Sequence, residues 1–321
     1  MAYLVGTDEA GYGPNLGPLV IAATVWQVPD GARDGDLYEL LQDAVGCAPS
    51  RPADASRLVW ADSKLLYRPG SGLAALEQGV LAALGACGLQ AASREQLWDA
   101  LVPTSRSQRS ELPWHDDHDV PLPVEAARGT VERQARRLQE ACVRAGVQLR
   151  AVRCRAVFPA EFNAETRRQG SKGTALSRWT LQLVGQALHE LVGEPVLVVC
   201  DKHGGRNHYA GLLQELLADD LVRVEIEERA ESIYRWDSRQ RPVEVRFRSG
   251  GERFLPAALA SMTAKYLREL AMRAFNQFWC RHVPHLRPTA GYPVDARRFK
   301  REIEPAQRRL AVADDLLWRE R

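Results

Sequence analysis

No run of 18 or more uncharged apolar residues occurs in the sequence, so nothing in it reads as a membrane-spanning helix. The opening segment MAYLVGTDEAG meets Asp8 and Glu9 before a secretory apolar core can form, and a cytoplasmic location is expected. Paired cysteines are also missing. Cys47, Cys87, Cys142, Cys154, Cys200 and Cys280 stand singly, without a C-x-x-C, in a chain long enough to bury a core without covalent staples, so reduced thiols are expected. Neither sign of charge dominates: 43 Lys and Arg face 41 Asp and Glu, and a net charge of +2 neither demands nor excludes a polyanionic partner. Repeats and low-complexity linkers are absent, which favours one elaborated domain over residues 1–321; a monomer is expected.

What is present is a folded composition, 45% hydrophobic and 26% charged. Tyr3 to Thr7 and Leu19 to Trp26 are β-branched apolar runs around a Gly/Pro/Asn segment, which predicts a hairpin. Helical spacing marks Leu73 to Leu84, Val131 to Ala145 and Ala175 to Leu191. The run Pro195 to Cys200 reads as a strand buried on both faces that delivers Asp201 at its end. A helix through Leu217, strands over Leu221 to Ile226 and Val243 to Phe247, and long helices from Pro256 to Trp279 and Ala296 to Arg319 complete an α/β pattern. Pro103 to Pro123 reads as a long loop or insertion, and residues 255–321 as a C-terminal helical part. From Gly146 to Arg178 seven basic residues face two acids, Arg167, Arg168 and Lys172 among them, which suits phosphate or a solvated surface. His115-Asp116-Asp117-His118-Asp119 is either a zinc or manganese chelate or a solvated polar loop.

Chemistry concentrates where the strands end. Asp8 and Glu9 are adjacent, and at a strand end leading into a turn both carboxylates can converge. Two close carboxylates stay ionised at neutral pH only when a cation compensates, and magnesium or manganese takes oxygen ligands beside substrate phosphates. Asp201 is the natural third ligand. The competing reading is that Asp8-Glu9 merely begins a turn. Gly11, Gly13 and Gly17 come near the dinucleotide fingerprint but carry one residue too many and no plain helix after them. Glycines there also let main-chain N–H groups approach a nucleic-acid backbone or a sugar hydroxyl. Lys202-His203-Gly204-Gly205-Arg206 follows Asp201, which makes His203 a candidate proton shuttle and Arg206 a candidate phosphate contact.

These residues resemble a known family. Gly6-Thr7-Asp8-Glu9-Ala10-Gly11-Tyr12-Gly13 with Gly17-Pro18 is similar to the opening motif of type 2 ribonucleases H, the HII and HIII enzymes. Asp62-Ser63-Lys64-Leu65 resembles the family's D-S-K-x-L phosphate-contacting motif, and Leu197 to Asp201 its V-D strand end. Ala260-Ser261-Met262-Thr263-Ala264-Lys265 with Arg268-Glu269 resembles the A-S-I-x-A-K-x-x-R-D helix, and Gly291-Tyr292-Pro293 the late G-Y-P. Five motifs in the family's order span nearly the whole chain. The match departs at Tyr12, where HII enzymes carry arginine and HIII enzymes do not. It departs again at the fourth carboxylate: 14 residues before Lys265 stands Gly251, with Glu252 next to it. The segment from Pro103 to Pro123 has no counterpart.

The resemblance implies a ribonuclease H-like mixed sheet flanked by helices and endonucleolytic hydrolysis of RNA in an RNA/DNA hybrid. It implies Mg2+ or Mn2+ held by Asp8, Glu9, Asp201 and, with a one-residue shift, Glu252. Gly11, Tyr12 and Gly13 are then expected to read the 2′-hydroxyl, Tyr292 the sugar, and Ser63, Lys64, His203 and Arg206 to line the substrate. A hybrid-binding protein of the same fold with impaired cleavage, and a dinucleotide-binding enzyme using the glycine loop, are the alternatives.

Overall fold

The computed structural model describes residues 1–32, 36–48, 57–68, 70–115, 119–238 and 241–320, with the side chains of Ser238 and Glu252 excepted. Its spine is β1 (Ala2–Ala10), whose alternation sends Leu4 into one core cluster and Val5 into another. A strand with apolar residues on both sides must be covered on both faces. β2 (Leu19–Val28) returns antiparallel to it, as the hairpin reading expects. β3 (Val45–Gly46) and β4 (Leu58–Val59) pair apart from the main sheet. β5 (Gln148–Val157), β6 (Val196–Asp201), β7 (Arg223–Glu227), β8 (Glu231–Ser238) and β9 (Arg241–Arg248) complete a seven-stranded mixed sheet in the order β5-β2-β1-β6-β9-β8-β7. β1, β6 and β9 run parallel and the other neighbours antiparallel.

This topology gathers chemistry at one edge. The C-terminal ends of β1, β6 and β9, the β1–β2 loop and the β7–β8 turn all lie there. One face of the sheet packs under the helix Leu255–His282 together with Ala74–Ala86 and Arg128–Ala145. The other packs under Lys172–His189 and Ala210–Leu216. Pro256 occupies the first turn of the long helix, where its missing N–H costs nothing, and Thr24 Oγ1 donates to its carbonyl at 2.7 Å. That turn lies directly on β1. A Cβ built at Gly6 would stand 2.1 Å from Ala257 N, so only glycine allows the contact.

Several expectations change. β5 and β8 were not foreseen, because Arg150, Arg153 and Arg155 interrupt the apolar pattern of one and Arg235 and Asp237 that of the other. The last helix ends at Arg309 rather than Arg319, and a short turn Asp314–Leu317 carries the chain back toward the glycine loop. Pro103–Pro123 is not one loop: it winds into Pro103–Ser105 and Arg106–Ser110 and seats Trp114 edge-on against Phe275 at 5.1 Å. Asp116, Asp117 and His118, three of the five residues of the suggested chelate, lie outside the described residues. No helix among the described residues is long and apolar enough to cross a membrane.

Candidate active site

Parallel register puts the acids together. Thr7 pairs with Cys200, the last partners in the β1–β6 ladder, so Asp8 and Asp201 are the next residues in line, about 5 Å apart at the usual strand spacing. Both point to the face covered by the long helix, since Leu4 and Leu197, an even number of residues before each, belong to that core. The expectation that Asp8 and Glu9 sit at a strand end needs correction. β1 continues to Ala10 because Glu9 and Ala10 still pair with Ile21 and Val20, so the two carboxylates leave on opposite faces. Glu9 takes the side of Cys200, whose thiol feels its charge. β6 stops at Asp201, however, and the flank of β1 beyond it is unpaired, so the two carboxylates face one gap from above and below.

The electrostatics of this gap are unfavourable as they stand. Asp8 and Glu9 are half-buried, and loss of water is the main reason the carboxyl of Asp8 is pushed up to about 7. A hydrogen bond from Ser261 and the backbone N–H of Glu9, 2.8 Å from Oδ1, pull it back, while Asp201 pushes it further. Burial followed by repulsion from Asp8 and Asp201 raises Glu9 as well. Lys64 is the cation felt by both. Ser261 Oγ also receives the backbone N–H of Ser63 at 3.3 Å and lies 3.2 Å from Ser63 Oγ, so the short helix Ser63–Leu66 is tied to Asp8 through one hydroxyl. Ser63 is thereby buried as a link, and Lys64, its side chain 87% exposed, sets its ammonium 3.8 Å from Asp62 Oδ2.

The side chain of Glu252 lies outside the described residues, and its backbone belongs to a 3-10 turn over Gly251–Arg253. Gly251 itself abuts Asp201. Its N–H faces Oδ1 at 3.5 Å, and a Cβ there would meet Asp201 N at 3.2 Å. Among the described residues no three His, Cys, Asp or Glu side chains form a ready metal cage.

The glycine loop divides its labour. Gly11, at φ 98°, packs on Arg268: a Cβ would meet Nε at 2.5 Å and Pro18 O at 2.6 Å, so this glycine serves the interior. Gly13 is exposed, and a Cβ there would meet only Tyr292, at 3.9 Å. Tyr292, 54% exposed, precedes the helix Pro293–Arg309, so the structure brings these two predicted contacts side by side. Tyr12 instead lies beneath Lys172, whose Nζ is 4.7 Å from the ring centre.

His203 does not fit a proton shuttle. It is buried, its Nδ1 lies 3.1 Å from Ser177 Oγ, and its ring sits edge-on to Tyr209 and Phe247. Burial, helped by Arg206, lowers it to about 3, so it is neutral at working pH. Arg206 bonds Thr174 Oγ1 at 2.6 Å. The basic stretch is largely neutralised: Arg153, Arg155, Arg167, Arg168 and Arg178 pair with Glu190, Glu161, Glu320, Glu165 and Glu215.

Sequence reasoning missed the loop's foundation. Arg319, fully buried, donates to the carbonyls of Gly11 (2.6 Å) and Pro14. Arg268 donates to those of Leu16 (3.3 Å) and Ala290 (3.1 Å). Asn15 and Arg319 exchange further bonds at 2.8 and 2.9 Å, and Leu16 bridges to Trp318. No local pattern marks Arg319. Its partners lie some 300 positions away.

The chain resembles solved ribonucleases H. It is similar to the ribonuclease H2 of Pyrococcus horikoshii OT3 (15% identity, 98% of this chain and 92% of that one, TM-score 0.45). It is also similar to RNase HII of Archaeoglobus fulgidus in its PCNA complex (13%, 99% and 94%, TM-score 0.43) and to RNase H3 of Aquifex aeolicus (14%, 98% and 70%, TM-score 0.41). No family model and no curated protein sequence matches it.

Proposed function

We propose that the protein is a divalent-metal-dependent endoribonuclease that cuts the RNA strand of RNA/DNA hybrids. One observation carries the reading: the β1–β6 register sets Asp8 and Asp201 side by side where β6 ends, with Glu9 close enough to repel both. Carboxylates that repel one another in partial burial call for a cation, and all-oxygen donors suit Mg2+ or Mn2+. Asp8, Glu9 and Asp201 would hold such ions. Bound ions would supply an activated water and charge to steady the departing 3′-oxygen. The protein's own part is to orient. The Ser261 hydroxyl, which favours the ionised Asp8 carboxyl, would help to orient it, and Lys64, 3.8 Å from Asp62 Oδ2, would offer positive charge to the phosphate. Gly13 and Tyr292, adjacent and exposed, would meet the sugar and its 2′-hydroxyl.

Glycine at position 251, directly against Asp201, favours impaired cleavage as the second reading. The experiment is hydrolysis of end-labelled RNA in a hybrid, a DNA duplex and an RNA duplex, with Mg2+ or Mn2+. Cuts confined to the hybrid, leaving 5′-phosphate and 3′-hydroxyl ends and lost in Asp201→Asn, support the first reading. Hybrid binding without cuts supports the second, and indifference to the hybrid refutes both.

A further inference from the structure

Beyond Asp201, on the side away from the glycine loop, a cleft of about 600 Å³ opens between Lys64, Lys202, Asn207, Arg229 and Gly250. Its floor is rigid. Lys202 Nζ donates to Asn207 Oδ1 at 2.8 Å, to Ser232 Oγ at 3.2 Å and to the carbonyl of Glu228. Arg229 stands in the β7–β8 turn, which is pinned to the end of β9: Glu228 N–H reaches Glu231 O at 2.9 Å, and Ser249 N–H reaches Ala230 O at 3.0 Å. On the same three strands Arg223, Arg235, Arg246 and Arg248 each meet a carboxylate, of Asp237, Glu244, Glu244 and Glu231. Arg229 is exposed and makes no hydrogen bond or ion pair with any described residue. An arginine with a fixed backbone, an uncommitted guanidinium and a place in a cleft shared with Asp201 is suited to phosphate, which it can grip through two N–H groups.

We propose that Arg229 holds a backbone phosphate of the bound nucleic acid, on the opposite flank of the acids from Gly13 and Tyr292. This rests on the function proposed above. In the strand order β6-β9-β8-β7 the turn lies two to three strands from β6, about 12 Å at the usual spacing of about 4.8 Å. One strand of a duplex presents a phosphate every ~3.4 Å of axis. The contact therefore falls about three or four nucleotides from the bond beside Asp201, too far to touch the reacting atoms.

The test is binding of a fluorescent hybrid in EDTA across a salt series, with wild type, Arg229→Gln and Arg229→Lys, beside cleavage of the same hybrid in Mg2+. Arg229→Gln is expected to weaken binding and to flatten the slope of log K against log salt by about 0.7–0.9, one phosphate contact. Arg229→Lys should restore the slope, because a point charge suffices. An unchanged slope in Arg229→Gln, with wild type still cutting the hybrid, overturns this inference alone. Failure of wild type to bind or cut the hybrid overturns the underlying function too.

Discussion

Asp8→Asn should stabilise the metal-free protein while destroying the proposed ion site. In the folded state burial is the main force pushing the Asp8 carboxyl from 3.8 to about 7, so folded protein binds more protons than unfolded chain between those values. Stability from this group is then full below about pH 4 and lost as pH rises through about 7. A rise of that size corresponds to about 4 kcal/mol at 1.36 kcal/mol per pH unit, and partial access to water reduces the expected effect to about 2 kcal/mol. Asparagine keeps the shape and carries no charge. In urea unfolding at pH 8 with EDTA, Asp8→Asn should therefore exceed wild type by about 2 kcal/mol, and near pH 4.5 the gap should nearly close. Saturating Mg2+ should return about 2–3 kcal/mol to wild type, as a ligand present at about a hundred times its Kd does, and little to the variant. Asp8→Asn less stable than wild type at pH 8, or stabilised equally by Mg2+, would refute the reasoning.

Three further outcomes follow from the geometry. Arg319→Met strands the buried carbonyls of Gly11 and Pro14 and should cost about 2–4 kcal/mol in urea unfolding, with KM for hybrid rising more than kcat falls. Gly17→Ala, at φ 80° with Met272 Sδ 2.2 Å from the new Cβ, should lose about 2 kcal/mol in the same assay. His203→Gln should leave the shape of the pH–rate profile between about pH 6 and 9 unchanged, because the imidazole is already neutral there; a lost ionisation would return His203 to the reaction.

Much of this was legible because the chemistry is written in short, dense segments. The buried runs of β1, β2 and β6 announce themselves by β-branched residues, and each acid follows such a run directly, so the register alone brings Asp8 to Asp201. The motif resemblance added Tyr292, which the structure sets beside Gly13. What failed did so for tertiary reasons. His203 looked available because it follows Asp201, yet Tyr209 and Phe247 close over it. Arg167 and Arg168 looked like phosphate contacts until Glu320 and Glu165 met them. The buried role of Arg319 depends on a chain reversal after Arg309, and the patterning expected helix there. β5 hid because Arg150, Arg153 and Arg155 break its apolar run, yet Arg153 and Arg155 are half-buried and paired with Glu190 and Glu161.

The central claim is that Asp8, Glu9 and Asp201 together hold divalent ions, and its most direct test is a Mn2+ titration followed by electron paramagnetic resonance. Wild-type protein should remove Mn2+ from the free signal, and both Asp8→Asn and Asp201→Asn should lose that uptake while remaining folded. Equal Mn2+ uptake by all three proteins, or none by wild type even with uncleavable hybrid present, would contradict the account.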